Sequence, residues 1–211
     1  MNQQTDNTAV AELAGIEIKG MTRQDFLVRG MFATGAVYGA TMIGPFVRSA
    51  FAAEEMDDIG ILNFALTLEY LEAEFYKRGI ANAKLSGEAL GVAKEIGANE
   101  AEHVQALIGT IKQLGGTPVK APTVVFPFKD QASFLKLAQV LEDTGVSAYN
   151  GAAPAIKSKE VLGAAGSIVQ IEARHAARIR LLNGEPPAPV SFDASMTTDE
   201  VLMAVKPFVK A

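Results

Sequence analysis

Residues 168–180 read IVQIEARHAARIR, and the interpretation of the fold turns on Glu172 and His175 within them. His175 is one of two histidines in 211 residues, and it follows Glu172 by three positions. The other, His103, lies in ANEAEHVQAL (98–107), three positions after Glu100. With 24 acids in 211 residues, an acid at a given place is about a 0.11 event and twice over roughly 0.013, so the repeat alone is a modest signal. Its surroundings have to decide.

Those surroundings are helical. Segment 158–184, SKEVLGAAGSIVQIEARHAARIRLLNG, sets Ala165, Ile168, Glu172, His175, Ile179 and Leu182 on one face at 3–4 spacing. Segment 88–116 does the same with Ala93, Ile96, Glu100, His103, Leu107, Ile111 and Leu114, and Gly115-Gly116 stops it. Segment 58–85 carries the stripe Ile61, Phe64, Leu68, Leu71, Phe75, with Leu62, Ala65, Glu69, Glu72, Tyr76 and Gly79 beside it. Segment 130–156 has Leu135, Ala138, Glu142, Gly145, Tyr149 and Ala152, and Pro154 ends or bends it. Between the second and third helical segments runs TPVKAPTVVFPFKD (117–130), with three prolines and no helical period. About 14 extended residues reach some 45 Å, and a helix of about 25 residues is near 38 Å long. This connection therefore spans a bundle and starts the third helix at the far end. The spacing predicts an all-α chain: an antiparallel four-helix bundle with a long crossover between helices 2 and 3.

Each helix places a carboxylate near its middle on the face to be buried, and two add His one turn on. Unpaired buried carboxylates cost several kcal/mol each. A buried salt-bridge network is the bland alternative, but no Lys or Arg lies on the central stripes. Two divalent cations resolve the charge: Glu from two helices and Glu-x-x-His from two others is the ligand set of a carboxylate-bridged di-metal bundle. The predicted ligands are Glu69, Glu100, His103, Glu142, Glu172 and His175. Glu72, one turn from Glu69, is the alternative or additional ligand. Glu69 fits better, because Tyr76 follows it by seven positions as Tyr149 follows Glu142. Glu69 to Glu100 spans 31 positions and Glu142 to Glu172 spans 30, a weak internal two-fold. Each tyrosine is placed to hydrogen-bond a carboxylate of the other hairpin, or to serve as an amphipathic core-edge residue. Glu74, Glu95, Glu102, Asp143, Arg174 and Arg178 read as surface charges.

Composition bounds the chemistry. Hydrophobic residues are 49% and charged residues 20%, so the chain is globular. A net charge of −5 with no basic run argues against a nucleic-acid partner. There is no Cys, which excludes disulfides, thiolate zinc and iron–sulfur sites.

Region 1–53 is a separate N-terminal element, 54–184 the bundle and 185–211 an extended tail. In the tail Thr197-x-x-Glu200 signals a short last helix. Lys19, Arg23 and Arg29 precede an uncharged run from Gly30 to Val47, and Ala50-Phe51-Ala52 follows. That order reads as an export signal, and TRQDFL resembles a twin-arginine signal with Gln24 in the second arginine's place. The expected location is the periplasm or cell envelope. An uncleaved segment would instead leave the chain cytoplasmic or membrane-anchored, although 18 residues interrupted by Gly and Pro45 are marginal for a span.

LNFALTLEYLEAEFY, EAEHVQAL and IEARHAARI resemble the ferritin-like superfamily, and more narrowly bacterial ferritin-like domain proteins related to plant desiccation-related proteins. The resemblance covers about residues 58–183. It implies a ferritin-like bundle with a di-iron or related site on the six residues above. Two divalent ions, Fe or Mn, then act on dioxygen or hydrogen peroxide in ferroxidase, peroxidase-like or catalase-like chemistry, in stress protection. A Cys₄ electron relay of the rubrerythrin kind is excluded. Other readings are a non-catalytic desiccation or stress protein with a metal-stabilised bundle, an iron-storage cage formed as a homo-oligomer, and a metal-free helical module.

Overall fold

Four of the five helix starts among the described residues are set by side chains that accept from orphaned backbone N–H groups. The structure, a computed structural model, describes residues 56–210. The expected export segment and the 1–53 region boundary lie outside them. Helix α1 (Asp58–Asn82) is capped by Asp57, which accepts from the Gly60 N–H at 2.8 Å. Helix α2 (Gly87–Gln113) ends where Gly115 takes a left-handed φ of 79°, which costs a glycine little. Helix α3 (Gln131–Ala152) opens with a capping box of Asp130 and Ser133. At its end Pro154 sits in a 3₁₀ turn, Ala153–Ala155. Helix α4 (Lys159–Leu182) is capped by Ser158. The short helix α5 (Thr198–Val205) has the Thr197/Glu200 capping box that the sequence announces.

The four long helices form an antiparallel bundle in which α1 pairs with α2 and α3 with α4. End contacts fix the order. The Ser86 N–H donates to the Gln131 side chain at 2.9 Å, so α2 and α3 start at the same end. At the other end the Asp58 carboxylate accepts from the N–H groups of Lys157 and Ser158 at 2.8 and 2.7 Å, joining the starts of α1 and α4. Residues 117–130 therefore run the length of the bundle. They also pair with the tail, which sequence reading did not foresee: Val124 and Val209 form an antiparallel bridge, and the Val125 N–H donates to the Phe208 carbonyl at 2.8 Å.

The apolar core falls into two clusters. One gathers Phe75, Tyr76, Ile96, Phe134 and Ile179 near the α2/α3 starts. The other gathers Leu62, Leu66, Leu107, Ile111 and Ile168 toward the α1/α4 starts. The buried acids and histidines lie between them along each helix. One expected stripe residue departs: Leu114 is 44% exposed, because α2 has already ended at Gln113 and the row closes at Ile111. Among the described residues no helix is long and apolar enough to cross a membrane.

Candidate metal centre

Glu69, Glu100, Glu142 and Glu172 come one from each long helix, and all four have no exposed surface. His103 and His175 are buried beside them. Helical spacing explains the convergence: each carboxylate lies on its helix's inward stripe, and each histidine one turn on. The tertiary fold brings the six into two groups, Glu69, Glu100, His103 and Glu172, and Glu100, Glu142, Glu172 and His175. One ligand atom per residue lies within 4.8 Å of the others in each group.

Two carboxylates are shared, and they are split. His103 Nδ1 stands 3.1 Å from Glu100 Oε2 and 3.0 Å from Glu172 Oε1, with Glu69 Oε2 at 3.2 Å. His175 Nδ1 stands 2.8 Å from Glu100 Oε1 and 3.9 Å from Glu172 Oε2, with Glu142 Oε2 at 3.5 Å. Each shared carboxylate thus turns one oxygen to each histidine. The lone glutamates turn one oxygen inward and give the other to a tyrosine. The Tyr149 hydroxyl donates to Glu69 Oε1 at 2.6 Å, and the Tyr76 hydroxyl donates to Glu142 Oε1. Each tyrosine reaches the opposite hairpin, so the weak sequence two-fold becomes a structural one.

The donor set fits divalent cations. Glu100 Oε1, Glu142 Oε2, both oxygens of Glu172 and His175 Nδ1 are buried without a hydrogen-bond partner. His175 Nδ1 lies close to Glu100 Oε1, yet the two are not aligned as a hydrogen bond. Ligand atoms at about 2.1 Å from one cation stand about 3 Å from each other, which is the range of most of these separations. Buried polar atoms normally find partners, and five such atoms crowded together need a cation or protons. The ion-pair contacts of the four carboxylates are with the two histidines.

The protein alone holds this charge with protons. Burial works against charging His103 and His175, but the surrounding carboxylates, Glu100 foremost, win and push both up to about 12. Burial would raise Glu100 as well, yet the two imidazoles outweigh it and hold it at about 2. Glu142 is pushed up to about 8 by burial and by Glu100 and Glu172, against the pull of His175. Burial, then the charge of Glu172, raises Glu69 and Glu72 well above the usual carboxylate range.

Glu72 is buried, yet it lies outside both groups. Its carboxylate fills space that a side chain at residue 145 would take: a methyl group on Gly145 would stand 3.2 Å from Glu72 Oε1 and 3.4 Å from Glu172 Oε2. Gly145 follows Glu142 by three positions as Glu72 follows Glu69, so one side of the two-fold carries an acid and the other the gap for it. Sequence reading missed the role of Gly145, although that spacing was its signal. It also took Asp143 for a surface charge. Asp143 is half-buried and accepts from Arg180 Nε and Nη2 at 3.2 and 2.7 Å. Arg178 pairs with exposed Glu95 at 2.6 Å, and Glu74 with Lys77 and Arg78 at 3.0 and 2.8 Å. Glu102 and Arg174 are exposed.

Comparison with known proteins agrees with this architecture. The model of the ferritin-like domain family matches residues 57–185. The chain is similar to a solved structure described as ferritin-like, diiron-carboxylate proteins from Bacillus anthracis strain Ames. The two share 22% identity over 67% of this chain and 99% of that one, with a TM-score of 0.52. It is also similar to a conserved hypothetical protein of Mycobacterium tuberculosis, at 17% identity over 69% and 99% of the chains and a TM-score of 0.56. At these identities the two structures speak for the fold. No curated protein matches.

Proposed function

The chain belongs to the ferritin-like domain family, and from that premise we propose that its buried centre holds two divalent metal ions, iron or manganese, and acts on dioxygen or hydrogen peroxide. The observation that carries this reading is the split of Glu100 and Glu172, whose two oxygens face different histidines. In this reading Glu69 and His103 complete one ion's ligands, and Glu142 and His175 the other's. Oxygen and imidazole donors suit both metals, and four carboxylates balance two divalent charges. When bound, such a pair supplies two electrons, one per ion, enough to take dioxygen and two protons to hydrogen peroxide.

The chain's own residues do the rest. Tyr149 and Tyr76 hold the outer oxygens of Glu69 and Glu142, so the inner oxygens stay turned to the centre. His103 and His175 ligate only as neutral imidazoles, so loading releases their protons. Glu72 is buried beside the centre but outside both ligand groups, and in this reading the other six residues suffice to hold the ions. The proposed setting is stress protection in the periplasm or cell envelope.

A second reading is a metal-stabilised bundle without turnover, which the complete burial of the four carboxylates favours. Metal analysis of the full chain purified without added metal tests the centre first. About two Fe or Mn per chain are expected, kept in Glu72→Gln and lost in a Glu100→Ala/His175→Ala double variant. No metal in native chain or double variant, with unchanged thermal stability, sinks the proposal. Oxidation of the loaded ions by dioxygen or peroxide then separates turnover from a purely structural metal.

A further inference from the structure

The two halves of the bundle interior are packed differently. Toward the α2/α3 starts the core is solid: the Phe75 and Phe134 rings stack at 4.6 Å, and Phe126, Phe128 and Tyr76 close on them edge-on. Toward the α1/α4 starts there is a cavity of about 50 Å³. Ala65, Leu68, Leu107, Ala148 and Ile168 are among the residues that line it. Ala65 and Ile168 lie one turn before Glu69 and Glu172, and Leu107 one turn after His103. The cavity is therefore the next layer of the bundle from the carboxylates.

Its wall is almost wholly apolar. Two of its lining side chains carry hydroxyls, and both are already committed. Tyr149 donates to Glu69, and Thr110 donates to the Ala106 carbonyl at 2.9 Å. Tyr149 touches the cavity with its ring and the centre with its hydroxyl. Small residues lie on the outward side, where Ala106 and Ala164 line the cavity and are exposed.

We infer that this cavity is a dry chamber that takes a small nonpolar molecule of dioxygen's class and passes it to the carboxylate centre. The inference rests on the proposed di-metal function and names its oxidant as dioxygen, not peroxide. Size and polarity agree. A water needs about 10–15 Å³ and benzene is held by about 150 Å³, so about 50 Å³ suits a diatomic gas. A polar molecule entering such an apolar cavity loses its hydrogen bonds to water and regains few, which disfavours hydrogen peroxide.

The test uses the full chain and two probes. Xenon is a nonpolar probe for the chamber, and its position under pressure is read in crystals of the native protein and of Ala165→Leu, a half-buried lining position. In the metal-loaded protein the rates of oxidation by dioxygen and by hydrogen peroxide are compared. Xenon is expected in the native chamber and absent from the variant. The dioxygen rate should fall at least about tenfold in the variant, with metal content and peroxide rate unchanged. Ala106→Leu on the exposed rim serves if Ala165→Leu does not fold. Xenon failing to enter the native protein overturns the inference, as does a variant that excludes xenon yet reacts with dioxygen at the native rate. If xenon enters but no metal binds, the chamber stands as a nonpolar site and the proposed function falls.

Discussion

At the residue scale, a single hydroxyl decides how well a carboxylate is held. Without Tyr149, Glu69 Oε1 would be buried and unpaired, since that hydroxyl bonds it at 2.6 Å. Losing the oriented partner of a metal ligand costs 10- to 100-fold in affinity. Tyr149→Phe is therefore expected to weaken metal binding by about 10- to 100-fold, measured by competition with a chelator. Unchanged affinity would make Tyr149 a packing residue only. The seven-residue offset of each tyrosine from its glutamate was legible in the chain. That it bonds the glutamate of the other hairpin follows from antiparallel packing. The role of Gly145 is read only by setting the two hairpins against each other, since it stands three positions after Glu142 as Glu72 stands three after Glu69.

At the element scale the helices were legible because buried faces repeat at 3–4 spacing, Gly115-Gly116 and Pro154 mark ends, and a capping box marks the last start. How closely two helices approach was not. Gly79 is where α1 meets α3: a methyl group there would stand 2.0 Å from Phe134 Cε2, well inside contact distance. The Phe134 ring cannot yield easily, because it is stacked on Phe75 and fully buried. Overpacking a tight core costs about 1–3 kcal/mol or more. Gly79→Ala should lower stability by at least that much in chemical denaturation, and an unchanged midpoint would refute the close approach. The pairing of Val124 with Val209 is a similar case. Two short extended stretches some 85 residues apart in the chain carry no local signal of each other.

At the scale of the whole molecule the centre exchanges protons for metal. In the metal-free protein His103 and His175 are raised to about 12 and Glu142 to about 8. Groups with raised folded values give stability that is full below their unfolded values, about 6.5 for His and 4.3 for Glu, and that is lost as pH rises through the folded ones. Glu100, held at about 2, gives stability above its unfolded value that is lost only as pH falls toward 2. Between pH 5 and 9, then, the metal-free protein should lose stability from this cluster as pH rises. Metal displaces the same protons and binds more tightly over that range. The rise in melting temperature on adding Mn²⁺ is expected to grow from about pH 5.5 to 8.5. A rise that shrinks over that range would contradict proton-for-metal exchange.

The chain alone points to four amphipathic helices, a spanning crossover and six ligand candidates, with Glu72 as an alternative or addition. Burial periodicity, turn chemistry and the cost of buried charge are local properties, and they can be read along one segment at a time. Which oxygen of Glu100 faces which histidine, where Glu72 finds room and which half of the core stays hollow depend on side chains from different helices meeting in three dimensions. Close packing makes those outcomes sensitive to single methyl groups, and so only the tertiary structure decided them.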